Sequence, residues 1–180
     1  MDSATADQER QGKGGCGRIV GGFLLAVILC FVAMIAVLRW LKRPQIVNEV
    51  RALSDVRTII SAQTAWQSAN GGYYEGELSC LASPARCLPD YPRDGPMFLA
   101  APLASQAPKD GYVRAFVAGS RPKKIDPRVS SRSSVETWTY TARPVAPGKT
   151  GYRSFFADET GVIRATSEDR AANVSDPPIE

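Results

Sequence analysis

Residues 45–72 read QIVNEVRALSDVRTIISAQTAWQSANGG. Neither Pro nor Gly falls between Gln45 and Ala69. Apolar side chains stand at Ile46, Val50, Leu53, Val56, Ile60 and Trp66, with Ile59 beside them. Steps of three and four place this set on one face of an α-helix. Asn48, Glu49, Arg51, Asp55, Arg57 and Gln67 supply the wet face. Asn70-Gly71-Gly72 stops the helix, because Gly accepts the left-handed conformation that closes one. Such a helix is about 37 Å long. Its apolar stripe needs a cover, and the chain downstream has to supply it.

Upstream, Ile19–Leu38 is an uncharged apolar run, IVGGFLLAVILCFVAMIAVL, closed by Arg18 before it and by Arg39, Lys42 and Arg43 after it. Twenty helical residues span about 30 Å, the thickness of a bilayer's hydrocarbon core. A cleaved signal peptide is the rival reading. The run exceeds a usual signal core, and no small-x-small site precedes a polar mature start. The organisation expected is a cytoplasmic tail over 1–18, a retained transmembrane helix over 19–38, a folded domain over 44–168 and a flexible C-terminal tail over 169–180. Pro44 is expected to interrupt or kink the helix leaving the membrane.

Composition agrees with one folded domain plus an appendage: 180 residues, 44% hydrophobic and 22% charged. There is no histidine, which removes Ser-His-Asp and Cys-His nucleophiles and His-bearing metal motifs. Of the net charge of +4, residues 1–43 carry +3 (6 Lys/Arg against 3 Asp/Glu) and residues 44–180 carry +1 (16 against 15). The excess base flanks the apolar run, as around a membrane anchor, and does not form a nucleic-acid surface. No nucleic acid, small-molecule substrate, cofactor or catalytic residue is expected.

Residues 73–110 are rich in Pro, Gly and small residues and read as a connecting loop. Within it Cys80 and Cys87 are separated by LASPAR. Zinc would need further ligands that the domain lacks, so a local disulfide is the economical reading. Closing a loop of this size stabilises by about 2–3 kcal/mol in the chain-entropy model. Disulfides persist in oxidising compartments, which puts the domain outside the cytoplasm. The basic residues Arg39, Lys42, Arg43, Arg51 and Arg57 outnumber Arg10, Lys13 and Arg18 and point the other way. The cysteine pair outweighs that small difference. Of the other cysteines, Cys30 packs within the apolar run and Cys16 lies just before it.

Four strands are expected beyond the loop: Tyr112–Ala118, Thr137–Arg143, Gly151–Ala157 and Val162–Thr166. The last two flank Asp158-Glu159-Thr160-Gly161, a hairpin turn. Residues 119–134 read as loop. A four-stranded sheet has one face to bury, and the helix around Val56, Ile60 and Trp66 is its partner. Trp138, Tyr140, Phe155 and Phe156 are the core candidates on the sheet.

This order of parts, an α+β chain in which an apolar helix runs on into an amphipathic helix packed on a four-stranded antiparallel sheet, resembles the type IV pilin and type II secretion pseudopilin superfamily. The strings ALSDVRTIISAQTAWQSANGGYY, CLASPARCLPDYP and GYRSFFADETGVIR look closest to the major, G-type pseudopilin-like proteins. The resemblance implies a bacterial inner-membrane protein, single-pass, with its domain in the periplasm. It implies membrane lipid and other pilin-like subunits or secretion-system components as partners. The N-terminus departs from the pattern. Gly22-Phe23 matches the peptidase step, but Val27 stands where family members carry a glutamate, and cutting there would leave only Phe23–Leu38 to span. A retained anchor is therefore expected.

The function implied is assembly or interaction within a type II secretion or type IV pilus-like system. Ile46, Val50 and Leu53 are expected to pack against other helices, because the sheet covers only Val56 onward. A stand-alone periplasmic binding or sensing module on the same fold is the alternative. Arg114, Arg121, Lys123, Lys124, Arg128 and Arg132 form a basic stretch broken only by Asp126. It reads as a solvated loop or as a docking patch for acidic partners. Some family members hold calcium near the C-terminus; Asp158, Glu159, Glu168 and Asp169 do not match a ligand ladder, and no metal residues are assigned.

Overall fold

A computed structural model describes the backbone of residues 15–179 and the side chains of 27–39 and 44–179. The first helix, α1, spans Gly15–Ala69, and Pro44 lies inside it without ending it. The chain divides into two compact units, Met1–Arg43 and Pro44–Glu180. In the first, residues 27–39 are helical and exposed throughout, and Cys30 is a free thiol. Among the described residues no helix is long and apolar enough to cross a membrane. The expected span, 19–38, lies partly outside the described side chains, as do Cys16, Gly22 and Phe23.

The second unit is α+β. After α1 come β1 (Tyr74–Glu75), α2 (Leu78–Ala82), a 3-10 turn (Pro84–Arg86) and α3 (Ala101–Ala104). The strands β2 (Tyr112–Ala118), β3 (Ser134–Val135), β4 (Trp138–Pro144), β5 (Ser154–Asp158) and β6 (Arg164–Thr166) follow. The main sheet has the order β2-β4-β5-β6, antiparallel throughout. Tyr140 pairs with Phe116 on one side and Ala157 on the other. The expected strands are present: β2 has the expected bounds, and the other three start one to three residues later. The hairpin turn also forms: Gly161 has φ +73°, and Asp158 Oδ1 accepts from Thr160 N at 3.0 Å.

Ala52, Val56, Ile59, Ala62 and Trp66 form the buried stripe of α1. Against them lie Tyr112, Trp138, Tyr140, Ala142, Phe155, Ala157 and Ala165 from the sheet. The stripe is rotated slightly from the expected one. Ile59 sits at its centre, while Ile60 and Leu53 lie at its margin, partly buried and packed on the core. Ala52 and Ala62 are buried on that arc of the helix beside Val56, Ile59 and Trp66.

Three features differ from the sequence reading. Residues 73–110, expected as a connecting loop, carry β1, α2, the 3-10 turn and α3, elements too short to show a period. Residues 119–134 were expected as loop, yet Ser134 begins β3, which pairs Tyr74 with Val135 and Glu75 with Ser134. Pairs this short carry no periodicity to read. The expected loose tail returns along β6. Ala165 N donates to Pro177 O at 3.1 Å and Ile179 N to Ile163 O at 2.9 Å, and Ala172 is buried. Arg170 pairs with Asp176, closing the return as a loop.

Candidate functional site

Three places carry the candidate functional residues: the start of the domain's helix, the basic stretch and the disulfide loop. At the helix start one side is clasped. Gln45 Nε2 donates to Gly148 O at 2.9 Å, Asn48 Nδ2 to Thr150 O at 3.1 Å, and Tyr152 N to Glu49 Oε2 at 3.2 Å. Arg153 pairs with Glu49 at 2.5 Å. The β4–β5 connection thus covers the polar side of these turns. The apolar side stays open: Ile46 is 59% exposed, Val47 45% and Val50 63%. Leu53 is a correction to the expected free stripe, since it is partly buried against the core. Leu53, Val50 and Ile46 still share a groove of about 320 Å³ with Tyr152, Arg153 and Ser167.

The basic stretch does not hold together as one patch. Arg114 is 5% exposed and points inward. It lies two residues from buried Tyr112 on β2, so the pleat turns both to the same face. Its Nη1 reaches Asp55 Oδ2 at 3.4 Å, its Nε donates to Ala107 O at 3.1 Å, and its Nη2 also reaches that carbonyl. Lys109 holds the other side of Asp55 at 3.1 Å. Arg114 is therefore a satisfied interior cation. Arg128 is exposed and paired with Asp126 at 2.9 Å, and that guanidinium holds the Asp126 carboxyl below its ordinary value. Arg121, Lys123, Lys124 and Arg132 remain as exposed basic side chains.

The disulfide joins Cys80 at the middle of α2 to Cys87 just past the 3-10 turn, with Cα atoms 5.7 Å apart. Leu78, Cys80 and Leu81 are buried, and Leu81 O accepts from Phe98 N and Leu99 N at 2.9 and 3.1 Å. The loop is thereby tied to the core. Opposite it runs residues 130–134, fastened by Asn70 at the end of α1. Asn70 Oδ1 accepts from Ser131 N at 2.6 Å, its Nδ2 donates to Ser134 Oγ at 2.8 Å, and its carbonyl accepts from Ser130 Oγ at 3.2 Å. Gly71 follows with φ +62°, and a Cβ there would come within 2.5 Å of Ser130 Oγ.

Between these two walls opens a cavity of about 630 Å³. Arg86, Arg121 and Arg132 line it, together with Ser130, Ser131 and Ser133. Chain comparison supplies no precedent for it. No family model, curated protein or solved structure matches this chain.

Behind the serines lies Glu75, fully buried. Gln63 pins its backbone: Nε2 donates to Glu75 O at 2.8 Å, and Oε1 accepts from Glu75 N at 2.9 Å. Glu75 Oε1 accepts from Glu77 N at 3.0 Å, while Oε2 has no hydrogen-bond partner. Burial pushes this carboxyl above the ordinary glutamate value, and the nearby Ser133 hydroxyl opposes the shift.

The sequence reading had singled out Arg121 and Arg132 but not Arg86. The signal for Arg86 was its place between the paired cysteines. Its meeting with the other two arginines depends on how α2 and the 130–134 segment dock. Among the described residues no three Asp, Glu, Cys or His side chains are grouped to hold a metal ion. Asp158 accepts from Thr160 within the turn, Glu159 accepts from Trp138 N at 3.4 Å, Glu168 pairs with Arg170 and Asp169 with Arg143.

Proposed function

We propose that this chain is a membrane-anchored pilin-like protein that acts in assembly or interaction within a bacterial envelope system of the type II secretion or type IV pilus kind. Its domain faces the periplasm, and its role is contact with other subunits and not catalysis. One observation carries the reading. On a helix whose later turns are buried by a sheet, Ile46, Val47 and Val50 stand exposed while the polar side of the same turns is clasped by the β4–β5 connection. An uncovered apolar stripe of this kind calls for another helix or for lipid. The apolar run over 19–38 and the disulfide in an oxidising compartment support the placement. In this mechanism such helices pack side by side, while the sheet domain presents its loops to partners.

The test is Val50→Glu and Ile46→Glu in the full-length chain, expressed in its own host. Extraction in mild detergent and co-purification measure association with other pilin-like or secretion components. Both substitutions should abolish it and leave the melting temperature within about 2 °C of the parent, because the altered side chains are exposed. Unchanged association in both variants rejects helix packing as the mechanism. A second reading, a stand-alone envelope binding or sensing module, is favoured by the arginine-lined cavity. A full-length protein that stays monomeric on extraction and captures no such component supports that reading instead.

A further inference from the structure

The cavity beside the disulfide has a cationic lining. Three arginines line it, and among the described residues none of the three makes an ion pair. Six other arginines of the domain, Arg51, Arg114, Arg128, Arg143, Arg153 and Arg170, pair with carboxylates, while Arg57, Arg93 and Arg164 do not among the described residues; what sets Arg86, Arg121 and Arg132 apart is that they share one cavity. Like charges around one cavity repel one another, so a lining with an excess of them favours an anion. The one carboxylate in the lining is Glu77, which leaves a balance of two positive charges.

Hydroxyls also line the cavity. Ser131 Oγ accepts from Ser133 N at 3.2 Å and lies 2.9 Å from Ser133 Oγ. Either hydroxyl can donate in that contact, and Ser133 Oγ also lies 3.8 Å from Cys80 Sγ, so the pair forms a polar floor whose protons can be redirected. The walls are fixed before any ligand arrives. Arg86 is the residue before Cys87, locked by the disulfide, and Ser130 to Ser134 are held by Asn70. Guanidinium forks recognise oxyanions bidentately, and a phosphate monoester carries close to two negative charges at neutral pH.

We infer that the cavity between the Cys80–Cys87 loop and residues 130–134 is a binding site for a phosphate-monoester group, held by Arg86, Arg121 and Arg132 over a floor that includes Ser131 and Ser133. The volume of about 630 Å³ leaves room for the remainder of a small ligand beyond the phosphate. The inference rests on the cavity alone. Helix packing through Ile46 and Val50 involves none of these residues, so either idea stands if the other fails.

The experiment is isothermal titration calorimetry of the full-length protein in a neutral detergent at constant ionic strength. The probes are inorganic phosphate, glycerol phosphate and short-chain phosphatidate, with acetate as the carboxylate comparison. Saturable binding is expected for the phosphate probes and not for acetate. Arg86→Lys and Arg132→Lys keep the charge but lose the fork, and each should weaken binding about tenfold. Glu77→Gln should tighten it severalfold, a gain that a misfolded variant cannot give. Lys123→Gln and Lys124→Gln, basic neighbours outside the lining, should leave it within about twofold. Phosphatidate binding tighter than glycerol phosphate assigns a membrane headgroup, and equal binding assigns a soluble monoester. Absence of saturation with every phosphate probe overturns the inference. So does equal weakening by the lysine and arginine variants, which would mark a diffuse basic surface.

Discussion

Replacing Gln63 by Leu isolates the contact that holds the small sheet, and with it one wall of the cavity, onto α1. Gln63 is fully buried, and its carboxamide satisfies both backbone groups of Glu75 as a neighbouring strand would. Leucine of similar volume keeps the packing and strands a buried N–H and a buried C=O. Each stranded group costs about 1–3 kcal/mol, so the pair costs about 2–6 kcal/mol. Added apolar burial returns about 1 kcal/mol, which leaves a net loss of about 3 kcal/mol. For a domain of this size the melting temperature should then fall by about 10 °C. Urea unfolding of the full-length chain, followed by tryptophan emission, measures the loss, because Trp66 and Trp138 are both buried. Hydrogen exchange at the Glu75 amide supplies an independent readout, slow in the parent and fast in the variant. A loss below about 1 kcal/mol with the Glu75 amide still protected would refute the assignment of β1's docking to this carboxamide.

Cys80 and Cys87 should resist alkylation until reduced in protein recovered from its native envelope, and alanine at both should cost about 2–3 kcal/mol in an unfolding titration. Glu75 binds its proton more tightly in the folded chain than in the unfolded one, so its contribution to stability declines as pH rises through the elevated value. Glu75→Gln should accordingly stabilise the domain at neutral pH in thermal melts, with the gain vanishing below the ordinary glutamate range. Asp176 has the opposite sign: its hydrogen-bonded pair with Arg170 holds the carboxyl down at about 2. The anchoring of residues 171–179 should hold above about pH 4 and weaken as pH falls towards 2, with the Asn173 amide, which donates to Asp176 at 2.7 Å, exchanging first.

Short-range regularities were legible in the sequence because they are written in neighbouring residues. The 3.6-residue period from Ile46 to Trp66 gave the helix, Asn70-Gly71-Gly72 gave its end, and the alternation around Trp138, Tyr140 and Ala142 gave a strand with its buried face. The cysteine spacing gave the disulfide. The same alternation, applied to β2, would have turned Arg114 inward with Tyr112. Counting charges along the chain hid this, since a linear window ignores the pleat. What tertiary structure alone decided are meetings between distant residues: Gln63 with Glu75, Asn70 with Ser131, the tail with β6, and Arg86 with Arg121 and Arg132. These contacts depend on how the elements dock and on where each loop turns back. Periodicity constrains which face of an element is buried. It leaves open what lies against that face, because burial is rewarded by any apolar partner of the right volume, whereas each specific hydrogen bond and charge pairing exists only once the whole domain has closed.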